Sequence, residues 1–350
     1  MGHTRPMPLG PLRSLIRRPR RAVLPQPATW LRQQAREAAL LRWSVKVLAA
    51  DLVQRHYAAG LAGPAVPLPE APQQAGLSSR SCRQADIESP WLRHWCRALG
   101  AFPFYHRKLW EAGFILQVLW EQGMLQPGRR ALGFAVGREP LPACLASRGV
   151  AVLATDLDAR DSRARDWIAT GQHGTGTDPL FRPHLSDRAA FDALVRFRAA
   201  DMAALPADLQ DGSRDIVWSA CAMEHLGSLE RGMAFVEAAM RCLRPGGIAV
   251  HTTELNLDGS GRTLARGGTV LFQQRHLEAL AARLAAQGHR MLPLDLAHAP
   301  QIMDQYVDLP PFEDGRVPLG PLSPPHLRLS VGGHPATSVG IVVMAGQPPP

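Results

Sequence analysis

Four side chains suited to proton transfer fall in two short segments, Glu224-His225 and His251 with Glu254. An imidazole accepts a proton near neutral pH, and a carboxylate beside it can orient the ring or hold a charged partner. That combination suits deprotonation of a hydroxyl. Cys221 lies three residues before Glu224. A thiol gives a hard cation such as Mg²⁺ no oxygen ligand, and no bound metal is expected here. The remaining cysteines, Cys82, Cys96, Cys144 and Cys242, form no CxxC pair. This argues against a zinc site or a disulfide framework and fits a reducing cytoplasm.

A second constellation suits a nucleoside. Gly133-Phe134-Ala135-Val136-Gly137-Arg138-Glu139-Pro140 follows an apolar run, and Pro140 fits the first turn of a helix. Nineteen residues past Gly137, a second apolar run ends in Asp156-Leu157, where a carboxylate can accept hydrogen bonds from ribose hydroxyls. The dinucleotide fingerprint GxGxxG is broken, because Ala135 and Arg138 occupy two of its glycine positions. An acid at Glu139 opposes a pyrophosphate but is compatible with a cationic sulfonium.

Alternating elements must position these groups. Strands are expected at 131–136, 150–155, 195–199, 215–220 and 248–253, with helices at 140–148 and 228–243. The second helix should end at Pro245-Gly246-Gly247. A helix at 275–287 precedes strands near 289–296, 326–331 and 338–344, the last two read as an antiparallel edge hairpin. The pattern is α/β, a doubly wound and mainly parallel sheet of seven strands, with its ligand at the carboxyl ends of the strands.

Upstream, residues 1–27 read as a disordered basic arm and 28–126 as a helical extension and lid, with a linker at 60–82. Leu31, Ala35, Ala38, Leu41, Val45, Leu48 and Leu52 form a helical stripe expected to pack on the body. Eight aromatic residues between Trp91 and Trp120 either fill a core or line a pocket. The long excursion 158–190, with Trp167, and the segment Tyr105–Glu111 are candidates for the acceptor side.

Taken together, these segments resemble the class I, Rossmann-like, type-11-like S-adenosylmethionine (SAM)-dependent methyltransferases of bacteria over about residues 110–345. Gly133-x-Ala135-x-Gly137 resembles their GxGxG loop, and Asp156 their acid after strand two. Asp201-Met202 resembles the pair flanking the adenine. Ser219–His225 resembles the segment after strand four, and Leu243-Arg244-Pro245-Gly246-Gly247 the turn before strand five. The resemblance implies a SAM-binding domain over 127–345, with Gly133, Phe134, Ala135, Gly137, Glu139, Asp156, Leu157, Asp201, Met202, Ser219 and Cys221 at the cofactor. Glu224, His225, His251 and Glu254 would lie at the reaction centre, with His225 the first choice as base. Two departures stand out: Ala131 where the family has an acid, and Ala135 where it has glycine, tolerable if φ stays negative. Cys221-x-x-Glu224-His225 is also similar to the ExxEH metal segment of some O-methyltransferases, with its first Glu replaced.

Charge narrows the acceptor. The chain of 350 residues carries a net charge of +9, and residues 1–50 hold ten bases and one acid. The other 300 residues are balanced, so the basicity belongs to the arm, which could touch an anionic surface. A neutral body argues against nucleic acid. No run of residues is long and apolar enough to span a membrane. The expected reaction is O-methylation of a small molecule, sugar or glycan. An RNA or other nucleic-acid methyltransferase is the enzyme alternative, and a non-catalytic SAM-binding regulator the alternative outside catalysis.

Overall fold

The computed structural model describes residues 27–60, 66–259, 261–297, 299–312 and 323–346. Residues 1–26 of the basic arm and part of the 60–82 linker lie outside them. The chain divides into two compact units, Met1–Ser44 and Val45–Pro350.

Helix α1 runs from Pro27 to Ala58. In the first unit its described side chains are nearly all exposed, Trp30, Leu31, Leu40, Leu41 and Trp43 among them. The second unit begins with Val45 and Leu48 exposed and Lys46, Ala49, Ala50 and Val53 buried. Of the anticipated stripe, Val45 and Leu48 in the second unit are exposed, whereas Leu52 packs against the core. Small residues face inward, and Lys46 is buried because its ammonium pairs with Asp308.

Two helices follow, α2 (Pro90–Leu99) and α3 (Arg107–Glu121). Ser89 caps α2 by accepting from the Leu92 N–H, and Gly100 closes it in the left-handed conformation. Trp91, Trp95, Tyr105, Trp110 and Phe114 are buried in the core. These rings are thus core, whereas Phe102 and Phe104 stay partly exposed, packed on Tyr57 and His106. Within the anticipated linker, Leu77 is buried, and the N–H groups of Ala75, Gly76 and Leu77 donate to Glu121.

The sheet comprises β1 (Arg130–Phe134), β2 (Ala151–Asp156), β3 (Val195–Ala199), β4 (Arg214–Ala220), β5 (Leu243–Asn256), β6 (Val307–Asp308), β7 (Arg328–Val331) and β8 (His334–Met344). Their spatial order is β3-β2-β1-β4-β5-β8-β7-β6. The first five are parallel, β8 is antiparallel to β5 and β7, and β7 is parallel to β6. A short strand, Arg290–Met291, also pairs with β8, which makes nine among the described residues rather than seven. The expected hairpin is β7–β8, but β6 rather than the hairpin forms that edge. The strand anticipated at 289–296 is split, and Leu294–Asp295 pairs with Ser79–Arg80 in a separate sheet.

Helices cover both faces. The ones that matter below are α4 (Leu141–Ala146), α5 (Arg188–Leu194), α6 (Leu229–Met240) and α7 (Gln274–Ala286). Strand alternation divides the core. Ala131, Ile216, Trp218 and Val250 join the aromatic cluster of α2 and α3, while Leu132, Val217 and Ala249 pack with Phe235 of α6 and Leu277 of α7. Pro245-Gly246-Gly247 lies inside the start of β5 rather than in a turn, and α6 stops at Met240.

Candidate active site

The parallel strands β1, β2, β3, β4 and β5 end at one cavity of about 920 Å³. Ala135–Pro140 after β1, Asp156-Leu157 after β2 and Ala200–Met202 after β3 line one part of it. Ala220–Ala222, Glu224–Leu226 and Glu254 line another. Arg107, Lys108 and Glu111 of α3 and Leu329–Gly332 of the β7 edge close it.

The glycine turn is built for close approach. Ala135 has φ +48° and Gly137 φ +52°. The expectation of a negative φ at 135 fails: an alanine holds the left-handed conformation there, at a cost of roughly 1–2 kcal/mol relative to glycine. A Cβ on Gly137 would lie 2.5 Å from the Gln172 carbonyl oxygen. Gly133 has another reason to be glycine: its Cβ would lie 2.2 Å from the Trp218 ring. Gly133 and the wholly buried Phe134 do not line the cavity.

Asp156 organises the excursion after β2. Its Oδ2 accepts from the N–H groups of Gly137 (3.1 Å) and Gly174 (2.8 Å), and its Oδ1 from Leu157 N–H (2.8 Å). A carboxylate oxygen accepts two hydrogen bonds, so Oδ1 keeps one acceptor site for a ligand hydroxyl. His173 Nε2 lies 2.8 Å from the Leu157 carbonyl and so donates to it. Asp201 beside Met202 is paired with Arg163 at 2.8 Å. Glu139 accepts from Trp218 Nε1 at 2.6 Å, and burial pushes its carboxyl up to about 8.

At the other end, three of the four anticipated acid–base groups meet. His225 Nδ1 lies 2.8 Å from the Gly268 carbonyl, which can only accept. The proton therefore sits on Nδ1, and Nε2 of the neutral ring is left as a proton acceptor. Trp167 packs edge-on against that ring, with centroids 4.7 Å apart. Glu224 is wholly buried, with Oε2 accepting from Thr253 Oγ1 at 3.0 Å and Oε1 3.9 Å from His225 Nε2.

His251 is elsewhere. It is fully buried, bonded to Ser219 Oγ at 2.8 Å and packed on Phe235. Burial drives its basicity down to about 3, so it is a neutral core residue. Neither His251 nor Ser219 lines the cavity. β5 runs on to Asn256, so His251 is mid-strand, and residues three apart on a strand face opposite sides.

A charged cluster links α3 to these groups. Arg107 Nη2 pairs with Glu254 at 2.7 Å, and Nη1 lies 3.2 Å from Glu111 and 3.5 Å from Cys221 Sγ. Glu111 also accepts from Lys108 Nζ at 3.1 Å and Ser338 Oγ at 2.5 Å. Burial opposes ionisation of Glu111, yet Lys108 and Arg107 hold its carboxyl below the usual range. Glu254 titrates above it, because burial outweighs the Arg107 attraction. Burial and the neighbouring Glu111 raise the Cys221 thiol well above its ordinary value. Cys221 has φ +46°, a second strained non-glycine residue at the cavity.

One constellation had no sequence signal. His326 lines the cavity, and its Nδ1 donates to the buried Asp308 Oδ2 at 2.8 Å. Lys46 pairs with the other oxygen of Asp308.

Residues 133–251 match the family model described as a methyltransferase domain. The matched residues run from the end of β1 into β5, so the likeness falls on the parallel part of the sheet whose strand ends line the cavity. No curated protein matches the chain at a significant level. Similar solved structures include phosphoethanolamine N-methyltransferase 2 of Haemonchus contortus in complex with SAM, 16% identical over 67% of this chain and 52% of that one, TM-score 0.40. Another is a SAM-dependent methyltransferase of Clostridium acetobutylicum, 10% identical over 67% and 91%, TM-score 0.37. A third is a 16S rRNA (adenine(1408)-N(1))-methyltransferase of Catenulisporales acidiphilia, 13% identical over 66% and 92%, TM-score 0.37. The chain spans about half the length of the first of these. Their names cover unlike acceptors, so these likenesses assign none. No helix among the described residues is long and apolar enough to cross a membrane.

Proposed function

We propose that the chain is a SAM-dependent methyltransferase acting on a hydroxyl of a small molecule, with residues 127–345 as its catalytic domain. The observation that carries this reading is one cavity reaching from the Ala135–Glu139 turn and Asp156 to the free Nε2 of His225. Its volume of about 920 Å³ lies at the upper end of small-molecule sites and leaves room for cofactor and acceptor together. SAM would lie along the turn, with a ribose hydroxyl on Asp156 Oδ1 and the base against Met202 beside Asp201. When bound, it supplies a sulfonium-activated methyl group.

The chain's own residues would position the acceptor and take its proton. Methyl transfer is an in-line displacement: the oxygen–carbon bond forms as the carbon–sulfur bond breaks, and the electron pair leaves with sulfur. Positioning supplies much of the rate. The hydroxyl proton passes to His225 Nε2, the Nδ1–H being held by Gly268. His326, oriented by Asp308, is a second base facing the same cavity. Among the described residues, the Trp and Phe side chains on the cavity wall are Trp167 and Phe312, so a small hydroxyl compound is the broader reading.

The test is turnover with methyl-labelled SAM and a small-molecule cell extract. His225→Ala should leave SAM affinity within about twofold and slow transfer by roughly a hundred-fold to ten-thousand-fold, the usual worth of a general base. An unchanged rate in His225→Ala would remove it as the base, and labelled RNA instead of a small product would replace the acceptor class.

A further inference from the structure

The inner end of the cavity holds acceptors without donors. Glu224 Oε1 and Glu254 Oε2 are buried and receive no hydrogen bond from the described residues, on side chains of residues 0% and 4% exposed. Cys221 Sγ and one carboxylate oxygen each of Glu224 and Glu254 lie within 4.8 Å of one another, and His225 Nε2 lies 3.9 Å from Glu224 Oε1. Glu111, next to them, is saturated by Arg107, Lys108, Ser338 and Cys221. Arg107 is matched by Glu254 and Lys108 by Glu111. Among the described residues, Glu224 is the carboxylate of this cluster that has no Lys or Arg within ion-pair distance. A buried carboxylate left in that state is strongly unfavourable, so the site is complementary to a cation that brings donors.

A hydroxyl brings one donor and no charge. A primary ammonium brings three donors and one positive charge. A divalent ion would be repelled by the Arg107 guanidinium, 2.7 Å from Glu254 and 3.5 Å from Cys221, about twice as strongly as a monovalent ammonium at the same distance, and it brings no hydrogen-bond donor of its own.

We propose that Glu224 and Glu254 anchor a primary ammonium on the acceptor, which makes the acceptor an amino alcohol, amino sugars included. This inference rests on the methyl-transfer reading. With the amine and hydroxyl on adjacent carbons, the ammonium sits on Glu224 while the hydroxyl faces His225 across the 3.9 Å gap. The protonated nitrogen has no lone pair, so the methyl group goes to oxygen, the hydroxyl proton to His225 Nε2, and the ammonium emerges unchanged.

Two measurements test it. The first follows thermal unfolding of the full chain in methylammonium chloride and in tetramethylammonium chloride at equal ionic strength, the second ion having no N–H. Methylammonium should raise the melting temperature by about 2 °C over the control, and Glu224→Gln should erase the difference. Equal melting temperatures overturn the proposal. So does stabilisation by Mn²⁺ without any by methylammonium, which would make the cluster a metal site. The second measures transfer from labelled SAM to a cell extract before and after amine-selective acetylation. Transfer should fall at least tenfold, and undiminished transfer overturns the proposal. If neither extract is methylated while methylammonium still binds, the methyl-transfer reading fails and the ammonium site stands.

Discussion

Arg107 is the cation on which the buried cluster depends. The residue is 8% exposed, and its guanidinium faces Glu254, Glu111, Ser338 and Cys221. Arg107→Met keeps much of the apolar stem and deletes the charge. Glu254 would then have neither oxygen paired, since Oε2 already lacks a donor, while Glu111 would retain Lys108. Removing one partner of a buried pair costs about 3–5 kcal/mol. At about 2–4 °C per kcal/mol for a domain of this size, the melting temperature should fall by roughly 10 °C. The loss should depend on pH in a definite direction. The Glu254 carboxyl already titrates above its ordinary value through burial, and losing the guanidinium raises it further. A carboxyl raised in the folded state binds its proton more tightly there. Its stabilising contribution is complete below the unfolded value and is lost as pH rises through the folded one. The deficit of Arg107→Met should therefore be smaller near about pH 5 than near about pH 8. Adding Glu254→Gln, a side chain needing no counter-charge, should recover most of the loss. Calorimetric or circular-dichroism melting of the wild type, both single variants and the double variant at the two pH values checks this. A deficit under about 1 kcal/mol, a deficit independent of pH, or a double variant no better than Arg107→Met would refute the reasoning.

Glu139, pushed up to about 8 by burial, holds a proton in the folded state that the unfolded chain loses near 4.5. Stability should therefore decline as pH rises from 4.5 to about 8, and Glu139→Gln should flatten that decline, as read from melting temperatures across the range. Parallel curves for the two proteins would contradict this. A Cβ at Gly174 would lie 2.6 Å from the Gly137 carbonyl oxygen and 3.1 Å from Asp156 Oδ2, so Gly174→Ala should displace the segment from the carboxylate. Its SAM affinity should fall about tenfold by calorimetry, the worth of one hydrogen bond to a charged group. Gly176→Ala, with open space around it, should change nothing.

Much of the scaffold was legible because parallel strands buried on both faces read as apolar runs, and their ends gather in one place. That is why Asp156, the Ala135–Glu139 turn and Glu224-His225 meet at one cavity although they lie far apart in the chain. His251 was misplaced because β5 was read three residues short, so a mid-strand side chain was taken for one at the strand's end. Gly133 fits the glycine loop in sequence but answers to the Trp218 ring. The aromatic segment held its ambiguity until packing resolved it, since a buried ring and a pocket ring have the same spacing. Lysine occurs only at 46 and 108 in a chain otherwise using arginine, and both pair with a buried carboxylate, Asp308 and Glu111. Asp308 and His326 carry no motif, and only the β6–β7 pairing brings them together.

Titration calorimetry of the full chain with SAM tests the central claim most directly. One equivalent should bind, and Gly137→Val, whose side chain would meet the Gln172 carbonyl at a left-handed position, should abolish the heat while circular dichroism remains that of the wild type. No heat with SAM, or binding of NADH in its place, would contradict the claim.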